Sequence, residues 1–353
     1  MSEETIEVRP DEAFDEARLG EWLRGRVEGA ERPLRVRQFG GGAANLTYLL
    51  DYGGLEYVLR RPPLGPVAAS AHDMGREFRV LAVLHRAFPE APRALVSCDD
   101  PGVIGAPFFV MERRLGVVVR RSLPAEFAAL PGAPRAMSEA LVDTLARLHA
   151  VDYAALGLAE LGKPDGFVAR QIEGWYGRWH KAKVDEVPAL DAVCAWLRER
   201  TPSRSAASLI HNDYKLDNVL LDPKDPGRVR AVFDWDMATL GDPLCDLGAL
   251  LCYWSEPSDP PAFRSLAMMP TSPAFPPRVE LVERYAKASG RDVAEIGFYH
   301  VLGLFRLAVI AAQIYVRFHR GQTQDRRFAG FRELVPAVGE AALAESRRVG
   351  THP

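Results

Sequence analysis

The chain has 353 residues, 48% of them hydrophobic, with 44 Lys and Arg against 47 Asp and Glu, a formal net charge of −3 and a pI near 6.3. That length suffices for two domains, or two lobes, each with its own core. The balanced charge excludes the global basic field that attracts nucleic acid or an anionic membrane, so neither is expected as a partner.

Cys98, Cys194, Cys245 and Cys252 form no C-x-x-C pair and have no histidine at zinc-ligand spacing, which points to a reducing compartment and a cytoplasmic location. The acidic N-terminal segment lacks the apolar run of a secretory signal. Residues 11–27 place Leu19, Trp22 and Leu23 at helical spacing. From residue 34 the pattern becomes LRVRQFGGGAANLTYLLDYGGLEYVLRRP, which predicts three antiparallel strands with a hairpin turn at Gly53-Gly54. The cluster Gly40, Gly41 and Gly42, followed by Asn45, is either a plain turn or a loop whose amides approach a phosphate.

Residues 62–71 read as a loop, and a helix starts near Asp73, with Phe78, Leu81, Val83 and Leu84 as its apolar stripe and Glu77 at the edge. Glu77 is placed either in solvent or against Arg60. PFFVMER, residues 107–113, predicts a strand leading into an inter-lobe connection, where the main chain of Met111, Glu112 and Arg113 is a candidate for reading an adenine edge. Ser138 is the expected N-cap of a helix over residues 138–149. Two more helices follow, one rich in Trp175, Tyr176, Trp179, Arg170, Gln171 and Arg178, and one over residues 188–200.

After Trp254, residues 255–277 are rich in Pro, Ser and Met and read as a long surface excursion. The rest is helical. His300, Arg306, Gln313 and Arg317 interrupt the apolar stretch 298–318, which predicts a buried helix of a soluble protein.

The chemistry concentrates in residues 209–236, LIHNDYKLDNVLLDPKDPGRVRAVFDWD. His211, Asp213 and Asn218 stand in the order H-x-D-x-x-x-x-N, and Asp234 follows an apolar run, the pattern of a kinase-type phosphoryl-transfer site. Such a site positions reactants and neutralises charge, so it needs carboxylates, an amide and a cation. Asp213 is the candidate catalytic residue, orienting the proton of the attacking hydroxyl. Asn218 and Asp234 are candidate magnesium ligands, as is Asp236 if the strand continues so that alternate residues share a side. His211 is expected to brace the loop, Lys215 to be solvated, and Arg60 to supply the phosphate cation, with Arg61 as the alternative. Asp242 and Asp246 are expected as helix caps or loop braces.

These residues resemble the aminoglycoside phosphotransferase and choline kinase-like family, along GGGAANLTYLL, VLRRPP, REF, FFVMER, HNDYKLDNVLLD and FDWDMATLGDPLCDL. VLRRPP, RQIEGWYGRW and IYVRFHRGQTQDRRF are similar more narrowly to the kinase-like branch related to the N-terminal portion of acyl-CoA dehydrogenase family proteins. The resemblance implies an α+β, protein-kinase-like two-lobe fold: a small antiparallel-sheet N-lobe over residues 1–113 that binds nucleotide, and a larger mainly helical C-lobe over 114–353 that carries catalysis and the acceptor. It further implies ATP and Mg²⁺, and a small hydroxylated acceptor such as a hydroxyacyl-CoA.

Gly41, Gly42, Asn45, Arg60, Glu77, Met111 and Arg113 are then the nucleotide-binding candidates. Arg60 stands where the family has lysine, and the glycine loop lacks the full G-x-G-x-x-G pattern, which keeps a nucleotide-binding pseudoenzyme as an alternative. Only eight positions separate Asp234 from Asp242, too few for a peptide platform. An aminoglycoside or other amino alcohol would need an acidic acceptor pocket, whereas Arg317, His319, Arg320, Arg326 and Arg327 suit an anion if they reach the cleft.

Overall fold

The computed structural model describes residues 5–40, 45–63, 73–203, 205–323 and 325–350, and the chain divides into two compact units. One comprises Met1–Leu115 with Ala231–Ala238, the other Gly116–Arg230 with Thr239–Pro353. The expected unbroken segment 114–353 therefore loses residues 114–115 and 231–238 to the first unit. Local bonds explain this: the Val232 N–H donates to the Glu90 carbonyl (2.8 Å), the Trp235 N–H donates to Glu77 (3.3 Å), and the Trp235 indole meets Phe88 edge-on at 6.0 Å.

The first unit is a six-stranded antiparallel sheet in the order β1-β2-β3-β4-β6-β5. Its elements in chain order are β1 (Thr5–Ile6), α1 (Glu16–Leu23), β2 (Arg35–Phe39), β3 (Leu46–Asp51), β4 (Glu56–Arg61), α2 (Met74–Leu84), β5 (Ala94–Cys98), α3 (Pro101–Ile104) and β6 (Phe108–Glu112). β3 and β4 pair from Leu46↔Arg61 to Asp51↔Glu56 around Gly53 and Gly54, whose positive φ values of 73° and 99° suit glycine. Leu19, Leu23, Tyr48, Leu50, Leu59, Phe108 and Val110 form a core between α1 and one sheet face. Asp73 caps α2 by accepting the Arg76 N–H. The buried stripe of α2 is Met74, Glu77, Val80, Leu81 and Leu84, so Glu77 is central to it and not at its edge.

The second unit is mainly helical. Its elements are β7 (Val117–Val118), α4 (Ala125–Ala128), α5 (Ala133–His149), α6 (Phe167–Ala182), α7 (Pro188–Glu199), β8 (Ser208–Ile210), β9 (Val219–Asp222), β10 (Asp225–Val232), β11 (Thr239–Gly241), α8 (Leu244–Tyr253), α9 (Pro261–Leu266), α10 (Arg278–Ser289), α11 (Ile296–His319) and α12 (Phe331–Gly350). Two small sheets, β10-β9-β7 and β11-β8, frame the loop that bears the central motif.

α5 starts five residues before the expected site. Gly132 in the left-handed region and an early proline open it, while Ser138 lies inside, fully buried, its hydroxyl donating to the Pro134 carbonyl (2.6 Å). Residues 255–277 are not a bare surface excursion. They include α9, and Phe263, Met269 and Phe275 are buried, with the Trp254 indole N–H donating to the Pro276 carbonyl (2.9 Å).

α11 is long and apolar enough to cross a membrane by length and composition, and two-thirds of its most apolar window is buried within the protein. It packs against α8, α12 and α6. Glycines set the approach of α8 and α11: a Cβ on Gly248 would lie 2.4 Å from the Tyr299 carbonyl oxygen, and one on Gly303 would lie 3.0 Å from the Gly248 carbonyl. Backbone cannot retreat as a side-chain tip can. Gly248→Ala is therefore expected to cost about 1–3 kcal/mol through overpacking, measured as a lower denaturant midpoint. Gly177→Ala, on α6 where an added Cβ meets nothing within 4 Å, is expected to leave stability equal or higher by up to ~1 kcal/mol.

Candidate active site

In the first unit the strand alternation of β4 separates the two arginines. Arg61 turns into the core, 2% exposed, donating to the carbonyls of Ile104 (3.0 Å) and Glu12 (2.6 Å), with its guanidinium over the rings of Phe14 and Tyr48. Arg60 takes the other face. Its Nη1 lies 3.0 Å from Glu77 Oε1 and its Nη2 lies 2.8 Å from Asp234 Oδ1. A lone guanidinium so buried would cost several kcal/mol, so these carboxylates are a condition of its being there.

Burial pushes the Glu77 carboxyl up to about 7, with Arg60 opposing and Asp234 and Asp236 reinforcing the rise. Burial alone would lower Arg60, but Glu77 and Asp234 outweigh it and hold it above the usual arginine range. Asp234 adopts the left-handed conformation at φ 68°, and the chain enters a single 3₁₀ turn, Trp235–Met237. The strand thus ends at Val232, and Asp236 does not share a strand side with Asp234 as alternation predicts. Asp236 accepts instead from the Asn45 amide (3.3 Å).

Asn45, Arg60, Glu77, Asp234 and Asp236 accordingly gather in this unit. Met111 is sequestered inside the sheet, paired with Val58 on one side and Ala94 on the other and 4% exposed, which removes it as an adenine reader. Arg113, just beyond β6, pairs with Glu56 at 2.5 Å. Gly41 and Gly42 lie outside the described residues.

In the second unit Asp213 sits between β8 and β9, among groups that set its direction. Its carboxylate accepts from Lys215 and from the Asn218 amide (3.1 Å), and the Asn218 amide also donates to the Asp213 carbonyl (2.9 Å). Lys215 is not solvated: its side chain is 13% exposed and its ammonium lies 5.3 Å from the Tyr253 ring centre. Burial works against its charge, and Asp213 reverses the effect, holding Lys215 above its usual value. Burial pushes neighbouring Asp217 up to about 6.

The loop is clamped from below by Asp246 near the start of α8. Its two carboxylate oxygens accept the successive N–H groups of His211 and Asn212, both at 2.7 Å, and Oδ2 also faces His149 Nε2 at 3.2 Å. Burial would raise the Asp246 pKa, but the His149 hydrogen bond, His211 and the amide outweigh it and hold the group below its ordinary value of 3.8. Asn212 is forced to φ 65°. Arg306 of α11 secures that conformation by donating to the Asn212 side-chain oxygen (2.6 Å) and carbonyl (2.5 Å). His211, fully buried, accepts the Asp213 N–H at its Nδ1 (3.2 Å).

His149, Asn212, Tyr253 and Arg306 were invisible as site residues in the sequence pattern. Arg306 carried one signal, since a charge inside an apolar helix requires a partner. Arg317, Arg320, Arg326 and Arg327 are exposed to solvent.

Hard oxygen donors suit magnesium; Asp234 and Asp236 offer them in the first unit, and Asn218 offers one in the second. In the first unit Glu77, Asp234 and Asp236 lie around the Arg60 guanidinium, and burial first, then the two aspartates, raise Glu77. Among the described residues no three His, Cys, Asp or Glu side chains converge as a metal cage.

An antiparallel sheet unit with an arginine–glutamate pair, and a helical unit presenting H-x-D-x-x-x-x-N on a clamped loop, define the class of kinase-like small-molecule phosphotransferases. The chain belongs to the phosphotransferase enzyme family APH, whose model matches residues 35–298. Acyl-CoA dehydrogenase family member 11 of Rattus norvegicus is 33% identical over 99% of this chain, and the chain spans 45% of that relative's length. A Ralstonia eutropha protein provisionally described as an aminoglycoside phosphotransferase superposes with a TM-score of 0.81 at 30% identity, covering 95% of this chain and 99% of its own. A thermostable mutant of aminoglycoside phosphotransferase APH(4)-Ia, in ternary complex with AMP-PNP and hygromycin B, gives a TM-score of 0.58 at 16% identity over 95% and 99% of the two chains, a likeness of fold.

Replacing Asp246 by Asn keeps the shape but turns one acceptor into a donor facing buried donors. Asp246→Asn is expected to destabilise by about 3–5 kcal/mol. A folded pKa below the unfolded one means that Asp246 contributes stability above pH 3.8 and loses it as the pH falls from there through the folded value. Acid titration followed by circular dichroism is expected to show a shallower acid limb in Asp246→Asn than in the wild type.

Proposed function

We propose that this chain transfers the γ-phosphoryl group of ATP to a hydroxyl of a small molecule. The observation that carries the reading is the Asp213 carboxylate, held beside Lys215 and Asn218 on a loop clamped by Asp246. Asp213 accepts the proton of the acceptor hydroxyl as its oxygen bonds to the γ-phosphorus, and the bond to the β-phosphate oxygen breaks to release ADP. Lys215 offsets the charge beside Asp213. Arg60, oriented by Glu77, contributes a planar cation for phosphate oxygens. Asn218, Asp234 and Asp236 would hold magnesium, which would supply charge neutralisation at the phosphates. Asn45, Arg113 and the segment bearing Gly41 and Gly42 contact the nucleotide.

A hydroxyacyl-CoA is the acceptor we favour. Support comes from the acyl-CoA dehydrogenase name of relatives that match nearly the whole chain. A cytoplasmic location suits the four free cysteines.

Calorimetric titration with Mg-ATP, followed by ATP-consumption assays across hydroxylated metabolites, tests the reading. Asp213→Asn is expected to reduce acceptor phosphorylation by about 10²–10⁴-fold while Mg-ATP affinity is retained. A wild-type chain that fails to bind Mg-ATP would overturn the assignment.

A further inference from the structure

We propose that Arg178 and Arg306, both stacked on Trp175 beside the Asp213 loop, form a subsite for an anionic group on the phosphate acceptor. The inference rests on the phosphotransferase reading and adds to it the side chains that bind an anionic group of the acceptor.

Several arginines of this unit are matched to acids: Arg198 to Glu173, Arg278 to Asp259 and Arg284 to Asp143, each within 2.7 Å. Arg178 has no carboxylate at ion-pair distance among the described residues, and both hydrogen bonds of Arg306 go to the neutral Asn212. The two guanidiniums nevertheless share one indole, with Arg178 4.5 Å and Arg306 5.2 Å from the Trp175 ring centre. A cation over an indole is attracted by the ring's π face, while a second cation beside it is repelled. Burial, together with the neighbouring Arg306 charge, holds Arg178 below the usual arginine range.

Such an arrangement is relieved by an anion shared between the two forks. Gly174 assists it, since a Cβ there would stand 3.3 Å from Arg178 Nη1, so glycine lets the guanidinium fold back along α6.

The placement relative to the chemistry is direct. Arg306 lines a small pocket with Asn212, Asp213, Tyr253, Leu307 and Ile310. Its room of about 10 Å³ admits a group the size of one water, such as the reacting hydroxyl. The body of the acceptor then lies outside the pocket, bordered by Arg306, which also stacks on Trp175. A polycationic amino sugar would meet two guanidiniums there and be disfavoured, whereas a carboxylate or phosphate ester would be held. Asp213, the acid in this pocket, is already paired with Lys215.

The test titrates the full chain in Mg-ADP with 3-hydroxybutyrate, 3-hydroxybutyryl-CoA and the neutral 1,3-butanediol. Binding is followed by tryptophan fluorescence, with Trp175→Phe as the blank. One or both anions are expected to bind and the diol to bind at least about tenfold more weakly. Binding of the acid alone assigns the subsite to a carboxylate, and binding of the thioester alone assigns it to the phosphates of its nucleotide portion.

Arg178, exposed on α6, can be changed without opening the core. Arg178→Glu is expected to weaken anion binding at least about tenfold and Arg178→Lys to retain most of it. The inference is overturned if the diol binds as tightly as the anions, if Arg178→Glu leaves their affinity unchanged, or if neither anion binds to a chain that binds Mg-ATP. A chain that does not bind Mg-ATP fails at the earlier reading.

Discussion

The second unit depends on one buried carboxylate. Asp246 is wholly inaccessible, and an isolated charge there would cost several kcal/mol. Three donors meet it: the His211 amide, the Asn212 amide and the His149 ring. Two adjacent amides can converge on one carboxylate only if the chain bends sharply, and Asn212 takes the bend at φ 65°. The bend directs Asp213, the next residue, away from the clamp toward Lys215 and Asn218. Arg306 holds the opposite side of the same residue, so the loop is bound through both its donors and its acceptors.

The first unit solves a comparable problem with a cation. Arg60 is buried because Glu77 and Asp234 compensate it, and Asp234 reaches Arg60 from a second left-handed residue, followed by a 3₁₀ turn. In both units a non-glycine residue at positive φ sits at or beside the chemistry: Asn212 next to Asp213, and Asp234 itself. Asn and Asp tolerate that region better than branched residues do, because their short polar side chains bond locally. Arginine in place of lysine adds a second prong, which is how one side chain touches Glu77 and Asp234 together.

Much of this was legible in the residues. The strands β2 to β4, the hairpin at Gly53-Gly54, the start of α2 near Asp73 and the buried character of α11 follow from period and turn chemistry, which act over a few residues. His211, Asp213 and Asn218 share one loop between the short strands β8 and β9. Failures arose where distant packing overrode local preference. Ser138 looks like a cap, but Gly132 and the proline after it start the helix earlier. Lys215 looks like a solvated surface residue, but Asp213 and Tyr253 draw it in. Met111 follows the logic of a connector, yet β4 and β5 enclose it.

The sequence by itself determined the class of chemistry, because phosphoryl transfer asks for a few residue types at short spacings, and those spacings are written along the chain. It also determined that a charge inside the apolar run 298–318 must have a partner, without naming one. Only the tertiary structure decided that the partner of Arg306 is Asn212, that Glu77 rather than solvent meets Arg60, and that Arg178 and Arg306 share Trp175. These contacts join residues of different secondary-structure elements or loops, apart from Arg178 and Trp175 within one helix. Their energies come from burial and electrostatic compensation, which depend on what the fold brings together and leave no periodic trace in the chain.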